Sequence, residues 1–132
     1  MVNILQISDL HLLPEGQRAF GNIDTSKSLR QLTPFLSDIK TNIDAIIFTG
    51  DIFQDGASEV CCNYVKNTFI EFETLYLPGN HDSPLLINSL VNGQSILEGR
   101  FVFVRDWPEC RAIGLDTTSG KHFGLLTQRH FD

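Results

Sequence analysis

The chain opens with Val2-Asn3-Ile4-Leu5-Gln6-Ile7, a short apolar run that gives way at once to Ser8 and Asp9. That is how a buried strand entering a loop reads. Leu29, Leu32, Leu36 and Ile39 then recur at helical spacing, with Asp24, Thr25 and Ser26 ahead of them as cap candidates and Pro34 expected to kink or divide the helix. Ala45-Ile46-Ile47-Phe48-Thr49 is a continuous apolar run closed by Gly50, which suits a strand covered on both faces. Cys61, Tyr64, Val65 and Phe69 form a second helical stripe. Thr74-Leu75-Tyr76-Leu77 predicts a third strand ended by Pro78-Gly79, and Ser83-Pro84 opens a short helix with a cap and a first-turn proline.

The order βαβαβ implies a parallel sheet with crossover helices, the α/β class. Two more strand-like runs, Phe101 to Arg105 and Arg111 to Leu115, flank Trp107-Pro108 and predict a hairpin that extends the sheet. From Gly120 the chain is polar and then helix-like. No internal repeat interrupts this order, so residues 1–132 read as one domain.

Composition narrows the function classes. With 42% hydrophobic and 20% charged residues a packed domain is expected, not a disordered chain. The formal net charge of −6 offers no basic field for a polyanion, so a nucleic-acid polymer is not an expected partner. No basic leader precedes the first apolar run, and the uncharged stretch Ser83 to Leu97 is broken by Pro84, Asn88, Asn92, Gly93 and Gln94; neither export nor a membrane partner is expected. Cys61, Cys62 and Cys110 make neither an even set nor a zinc spacing. They read as buried thiols in a reducing, cytoplasmic compartment.

Each of the first three strands ends in polar, metal-competent residues: Asp9-Leu10-His11, Gly50-Asp51 and Gly79-Asn80-His81-Asp82. In an open parallel sheet the ligand site lies beyond the carboxyl ends of the strands, so these clusters are expected to converge on one cleft. In extended backbone Asp9 and His11 share a face, offering a carboxylate oxygen and an imidazole nitrogen to one metal. Asp51, beside a glycine that permits a sharp turn, is placed to bridge two cations, whose mutual repulsion an anionic ligand relieves. Asn80 offers a neutral carbonyl oxygen, which leaves His81 free for a substrate. Two such cations would outweigh their ligands' charge and attract a phosphate. Asp and Asn beside Gly are ordinary turn formers, and any one cluster alone would be read so. Three at three successive strand ends are what turns that reading toward chemistry.

The strings Ile7-Ser8-Asp9-Leu10-His11, Thr49-Gly50-Asp51 and Leu77-Pro78-Gly79-Asn80-His81-Asp82 resemble the calcineurin-like metallophosphoesterases. Ile4 to Asp9, Thr49-Gly50-Asp51-Ile52 with Gln54-Asp55, and Gly114-Leu115-Asp116 before Gly124-Leu125 with Gln128 resemble its class III cyclic-nucleotide phosphodiesterase branch. The resemblance implies an α/β/β/α sandwich and two divalent or trivalent metal ions, iron, manganese or similar. It implies that Asp9 and His11 bind the first ion, Asp51 bridges and Asn80 binds the second. His81 would contact the phosphate and help protonate the leaving group, with Asp82 orienting it. The implied reaction opens a small phosphoester, 3′,5′-cyclic AMP foremost, to 5′-AMP by attack of a metal-activated hydroxide.

The family pattern continues with a lone histidine and a Gly-His-x-His motif that complete the coordination. Neither is present here, and the histidines left after His81 are His122 and His130, in contexts matching neither. The expectation is therefore the N-terminal portion of a metallophosphoesterase domain, lacking the C-terminal strands and motifs and inactive alone. Its incomplete sheet would favour self-association. The rival reading is a catalytically incomplete metal-binding or regulatory module.

Overall fold

A computed structural model describes residues 1–91, 95–97, 100–119 and 124–125. The order is β1 (Ile4–Ile7), α1 (Thr25–Ile39), β2 (Ala45–Thr49), α2 (Glu59–Thr68), β3 (Thr74–Leu77), α3 (Pro84–Leu90), β4 (Ser95–Leu97), β5 (Arg100–Asp106) and β6 (Arg111–Leu115). Strands β1, β2 and β3 lie side by side and parallel, with Ile7 opposite Phe48 and Phe48 opposite Tyr76. The fold is mixed α/β, as the alternation of strand and helix periods predicts.

The central strand β2 explains the continuous apolar run of its sequence. Ala45, Ile46 and Phe48 are wholly buried, so side chains on both faces are covered. Phe48 stacks on Tyr76 at 4.9 Å and meets the edge of Phe69, from the end of α2, at 5.0 Å. Leu29 and Leu36 of α1, Cys61, Cys62 and Val65 of α2, and Ile87 and Leu90 of α3 complete one core.

Helix α1 is capped by Asp24, whose carboxylate accepts from the Lys27 amide at 2.8 Å. The neighbouring cap candidates do other work: the Leu13 amide donates to Thr25 Oγ1 and the Ser26 hydroxyl donates to the Leu13 carbonyl, pinning the loop after β1 to the helix start. The helix runs unbroken through Pro34, which lies on its exposed side.

Two expectations need correction. The hairpin β5–β6 does not extend the first sheet. It pairs antiparallel with β4 in a separate three-stranded sheet. Phe101 and Phe103 turn inward from it, and Gly114 lies under the Phe103 ring where a Cβ would overlap it. Two sheets are what the α/β/β/α resemblance implies; alternation along β5 fixed which side faces inward but not which strand it bonds to. Secondly, Cys61 and Cys62 are buried but Cys110 is exposed in the β5–β6 turn. Burial raises the Cys62 thiol to about 11, so it sits in the core as an uncharged apolar group. Apart from Gly124 and Leu125, the stretch from Gly120 onward, with His122, Gln128 and His130, lies outside the described residues, as do Asn92, Gly93 and Gln94. Among the described residues no helix is long and apolar enough to cross a membrane.

Candidate metal centre

The loops leaving β1 and β2 are laced together by main chain beyond the sheet. Asp9 N–H donates to Gly50 O (3.1 Å), His11 N–H to Asp51 O (2.9 Å), Leu12 N–H to Ile52 O (2.9 Å) and Gln54 N–H to Leu12 O (3.2 Å). This lacing forces unusual backbone. Asp9, His11 and Asp51 have φ of 57°, 44° and 50°, the left-handed region that costs a non-glycine residue about 1–3 kcal/mol. Asp9 and His11 therefore do not share a face by lying in extended chain, as their spacing alone implies; a tight left-handed turn brings them round.

The third loop is tied in through carboxylates. Asp82 is buried, and its side chain accepts from the amides of Phe53 (2.7 Å), Gly79 (2.7 Å) and Ile52 (3.3 Å). Burial pushes its carboxyl above the usual range, while those amides pull the other way by favouring the ionised form. The sequence expectation gave Asp82 the task of orienting His81. The structure gives its oxygens to the backbone instead, as a clamp between the second and third loops. The carboxylate beside His81 is Asp55, with Oδ2 3.6 Å from Nδ1. Sequence reasoning noticed Asp55 only as part of a string; Asp55-Gly56 reads as a turn, and nothing in its spacing points at His81.

Gly50 and Gly79 meet backbone to backbone. A Cβ on Gly79 would overlap the Asp51 carboxylate and amide, so only glycine lets the third loop close on the second. The closure puts His81 N–H 3.0 Å from Asp51 Oδ1.

The chemistry-bearing side chains then fall together. His11 Nε2 lies 3.8 Å from Asp9 Oδ1 and 3.9 Å from Asp51 Oδ2. Donor atoms of His11, Asp51 and His81 all lie within 4.8 Å of one another. The His11 and His81 rings meet edge to face at 5.1 Å. Asp9 is the outermost, 66% exposed, and accepts from the Ser8 hydroxyl. Asn80 is exposed and lines, with Asp9, Asp51, Thr117 and Thr118, a cavity of about 240 Å³ over the strand ends. Thr117 and Thr118 escaped the sequence reading because they arrive from the second sheet. Arg100 holds them there by donating to the Thr118 carbonyl at 2.7 Å.

This donor set fits a cation. The nitrogen and carboxylate oxygens are too far apart for mutual hydrogen bonds yet close enough to share an ion at about 2.0–2.2 Å from each. His11 is 12% exposed, so its Nε2 faces two carboxylates from a largely desolvated ring without reaching hydrogen-bond distance of either.

The calcineurin-like phosphoesterase profile matches residues 2–129. The chain belongs to that family. It is 28% identical over 130 residues to a probable glycerophosphodiester phosphodiesterase of Arcobacter nitrofigilis, covering 95% of this chain and 47% of that protein. It is 30% identical over 94 residues to a 3′,5′-cyclic-nucleotide phosphodiesterase of Nostoc sp., covering 69% and 35%. Against the 3′,5′-cyclic adenosine monophosphate phosphodiesterase of Pseudomonas aeruginosa it is 30% identical over 119 residues, covering 89% and 42%. The chain thus spans less than half the length of these relatives.

Proposed function

We propose that the chain carries the metal-binding half of a phosphodiester hydrolase whose preferred substrate is a 3′,5′-cyclic nucleotide, opened to the 5′-monophosphate. The observation that carries this reading is the convergence of His11, Asp51 and His81, from three separate strand ends, with Asp9 and Asn80 at the rim. Family membership and relatives named as phosphodiesterases support it.

Asp9 and His11 would hold one ion, Asn80 a second, and Asp51 both. Bound there, such ions would supply Lewis acidity and an activated water at neutral pH. The chain's own residues do the rest. The His81 amide donates to Asp51 Oδ1, which ties the position of the carboxylate to the loop that carries His81. The His81 side chain, 29% exposed, lines a cavity with Asn80 and Asp55. From there it would hand a proton to the departing ester oxygen while Asp55 holds its Nδ1 side. Lacking the later histidine motifs, the isolated chain would bind metal but turn over no substrate above solvent background.

The test is metal content. Purified chain loaded with manganese or iron and analysed for bound metal should lose occupancy on Asp51→Asn, because the ligand common to both positions loses its charge. Metal stoichiometry unchanged by Asp51→Asn would overturn the assignment.

A further inference from the structure

The loop between β1 and α1 holds a feature that the metal site does not explain. Ala19 and Ile23 exchange main-chain hydrogen bonds of 2.8 and 2.9 Å, closing a tight hairpin anchored by the buried Ala19. Gly21 takes a φ of 82° at its tip, as a glycine can. Phe20 beside it takes a φ of 49° and is 64% exposed. A bulky aromatic in left-handed backbone, turned toward water, is costly twice over. A small polar residue would satisfy the turn better.

What this placement achieves is proximity. The Phe20 ring stands edge to face with His11, centroids 4.8 Å apart. With Ile23 and Leu29 it walls a second cavity of about 240 Å³, which His11 and Asp9 share with the metal centre. Ile23 is itself half exposed. The hydroxyls in the wall are already engaged, Thr25 with the Leu13 amide and Ser28 with the Asp24 carbonyl. The cavity thus offers apolar contact and an aromatic face, with the Asp9 carboxylate also in its wall.

Resting on the phosphodiesterase reading, the geometry points to Phe20 and Ile23 as a specificity shelf on which the nucleobase of the substrate stacks while its phosphate lies at the metal centre. Glycerol, with no planar face to lay on the ring, would gain less there than a nucleobase. The shelf therefore favours nucleotides over glycerophosphodiesters, and it acts on the organic group alone.

The experiment titrates manganese-loaded chain with adenosine 5′-monophosphate, glycerol 3-phosphate and inorganic phosphate by calorimetry. The unsubstituted chain should bind the nucleotide more tightly than glycerol 3-phosphate. Phe20→Ala should weaken the nucleotide about 5- to 150-fold, the range of an aromatic stack on a base, and leave inorganic phosphate unchanged. Phe20→Tyr should keep the preference, and Ile23→Ala should lose part of it, so the outcome does not hang on one variant. Equal nucleotide affinity in the unsubstituted and Phe20→Ala chains would overturn the shelf and leave the phosphate site standing. So would an equal loss for all three probes, which marks a distorted loop. Failure of the unsubstituted chain to bind inorganic phosphate with manganese would overturn the phosphodiesterase reading itself, and the shelf with it.

Discussion

The two sheets spend their sequence differently. At the carboxyl end of β1–β3, Asp9, His11, Phe20 and Asp51 all have positive φ, and no other described non-glycine residue in the chain does. The second sheet is regular: a hairpin turned between Trp107 and Cys110, ladder pairs in register from Val102–Leu115 to Asp106–Arg111, and a half-exposed outer face with Val104 and Ile113 opposite one another. Strain is concentrated where side chains converge and is absent where they need only pack. Such strain persists because the loops over-determine it, through main-chain lacing and through Asp82 and Asp51.

The comparison breaks most sharply at Asp82. Asp82→Ala leaves the amides of Ile52, Phe53 and Gly79 buried without acceptors, and should cost about 3–5 kcal/mol in denaturant unfolding. Metal uptake should fall with it, since the second and third loops lose their clamp. Asp82→Asn, which keeps an acceptor oxygen and removes the buried charge, should cost less. An Asp82→Ala chain that unfolds at the parent's denaturant concentration would mean the loops are held some other way.

A paired glycine test sharpens the contrast. Gly79→Ala drives a methyl into the Asp51 carboxylate and backbone amide, whereas Gly114→Ala drives one into the Phe103 ring. Each should destabilise by roughly 1–3 kcal/mol, the usual cost of overpacking. Metal binding should separate them: lost with Gly79→Ala, retained with Gly114→Ala. Equal metal content in the two variants would argue that closure of the third loop does not build the site.

The same division governs what the sequence revealed. Apolar runs made β1, β2 and β3 legible, and polar residues at their ends marked the loops, because burial writes itself into composition. Asp9 and His11 were legible as neighbours but not as a left-handed turn; no propensity favours that backbone there, and hydrogen bonds to a loop some forty residues later impose it. Asp82 was legible as a carboxylate near His81, yet its task depends on three amides whose positions only the packed loops define. Phe20 read as nothing, since an aromatic between Ala19 and Gly21 gains meaning only from His11 beside it. Strands β5 and β6 were legible as a hairpin, but their sheet was not, because alternation specifies a face and leaves the bonding partner open.

Substitutions on the outer face of the second sheet should be nearly silent. Val104 and Ile113 are 57% and 61% exposed, so Val104→Thr with Ile113→Thr keeps β-branched shape while giving up little buried area. Thermal unfolding should shift by no more than the equivalent of about 0.5 kcal/mol, and metal content should not change. A loss of several times that size would mean the face is covered in solution, and the contrast between a working loop face and a merely packed sheet would need redrawing.

The smallest expected effect lies at the end of that same sheet. Arg111 donates to Asp106 across the β5–β6 pair at 3.0 Å, and that hydrogen bond holds the Asp106 carboxyl below its ordinary value of 3.8. A carboxyl depressed in the folded state adds stability above its unfolded value and loses it as pH falls through the lower, folded one. The pair's contribution should therefore be present above about pH 4 and fade as pH falls below it, and it should be small and weakened by salt, because both side chains are largely exposed. Carboxyl titration followed by NMR should show Asp106 returning toward 3.8 in Arg111→Ala, with a slight loss of stability at neutral pH that disappears in acid. An Asp106 titration that stays depressed without Arg111 would assign the shift to Arg105, whose guanidinium stacks over Trp107 at 5.5 Å beside it. The charge pattern of the turn, and not one ion pair, would then be what keeps the regular sheet regular.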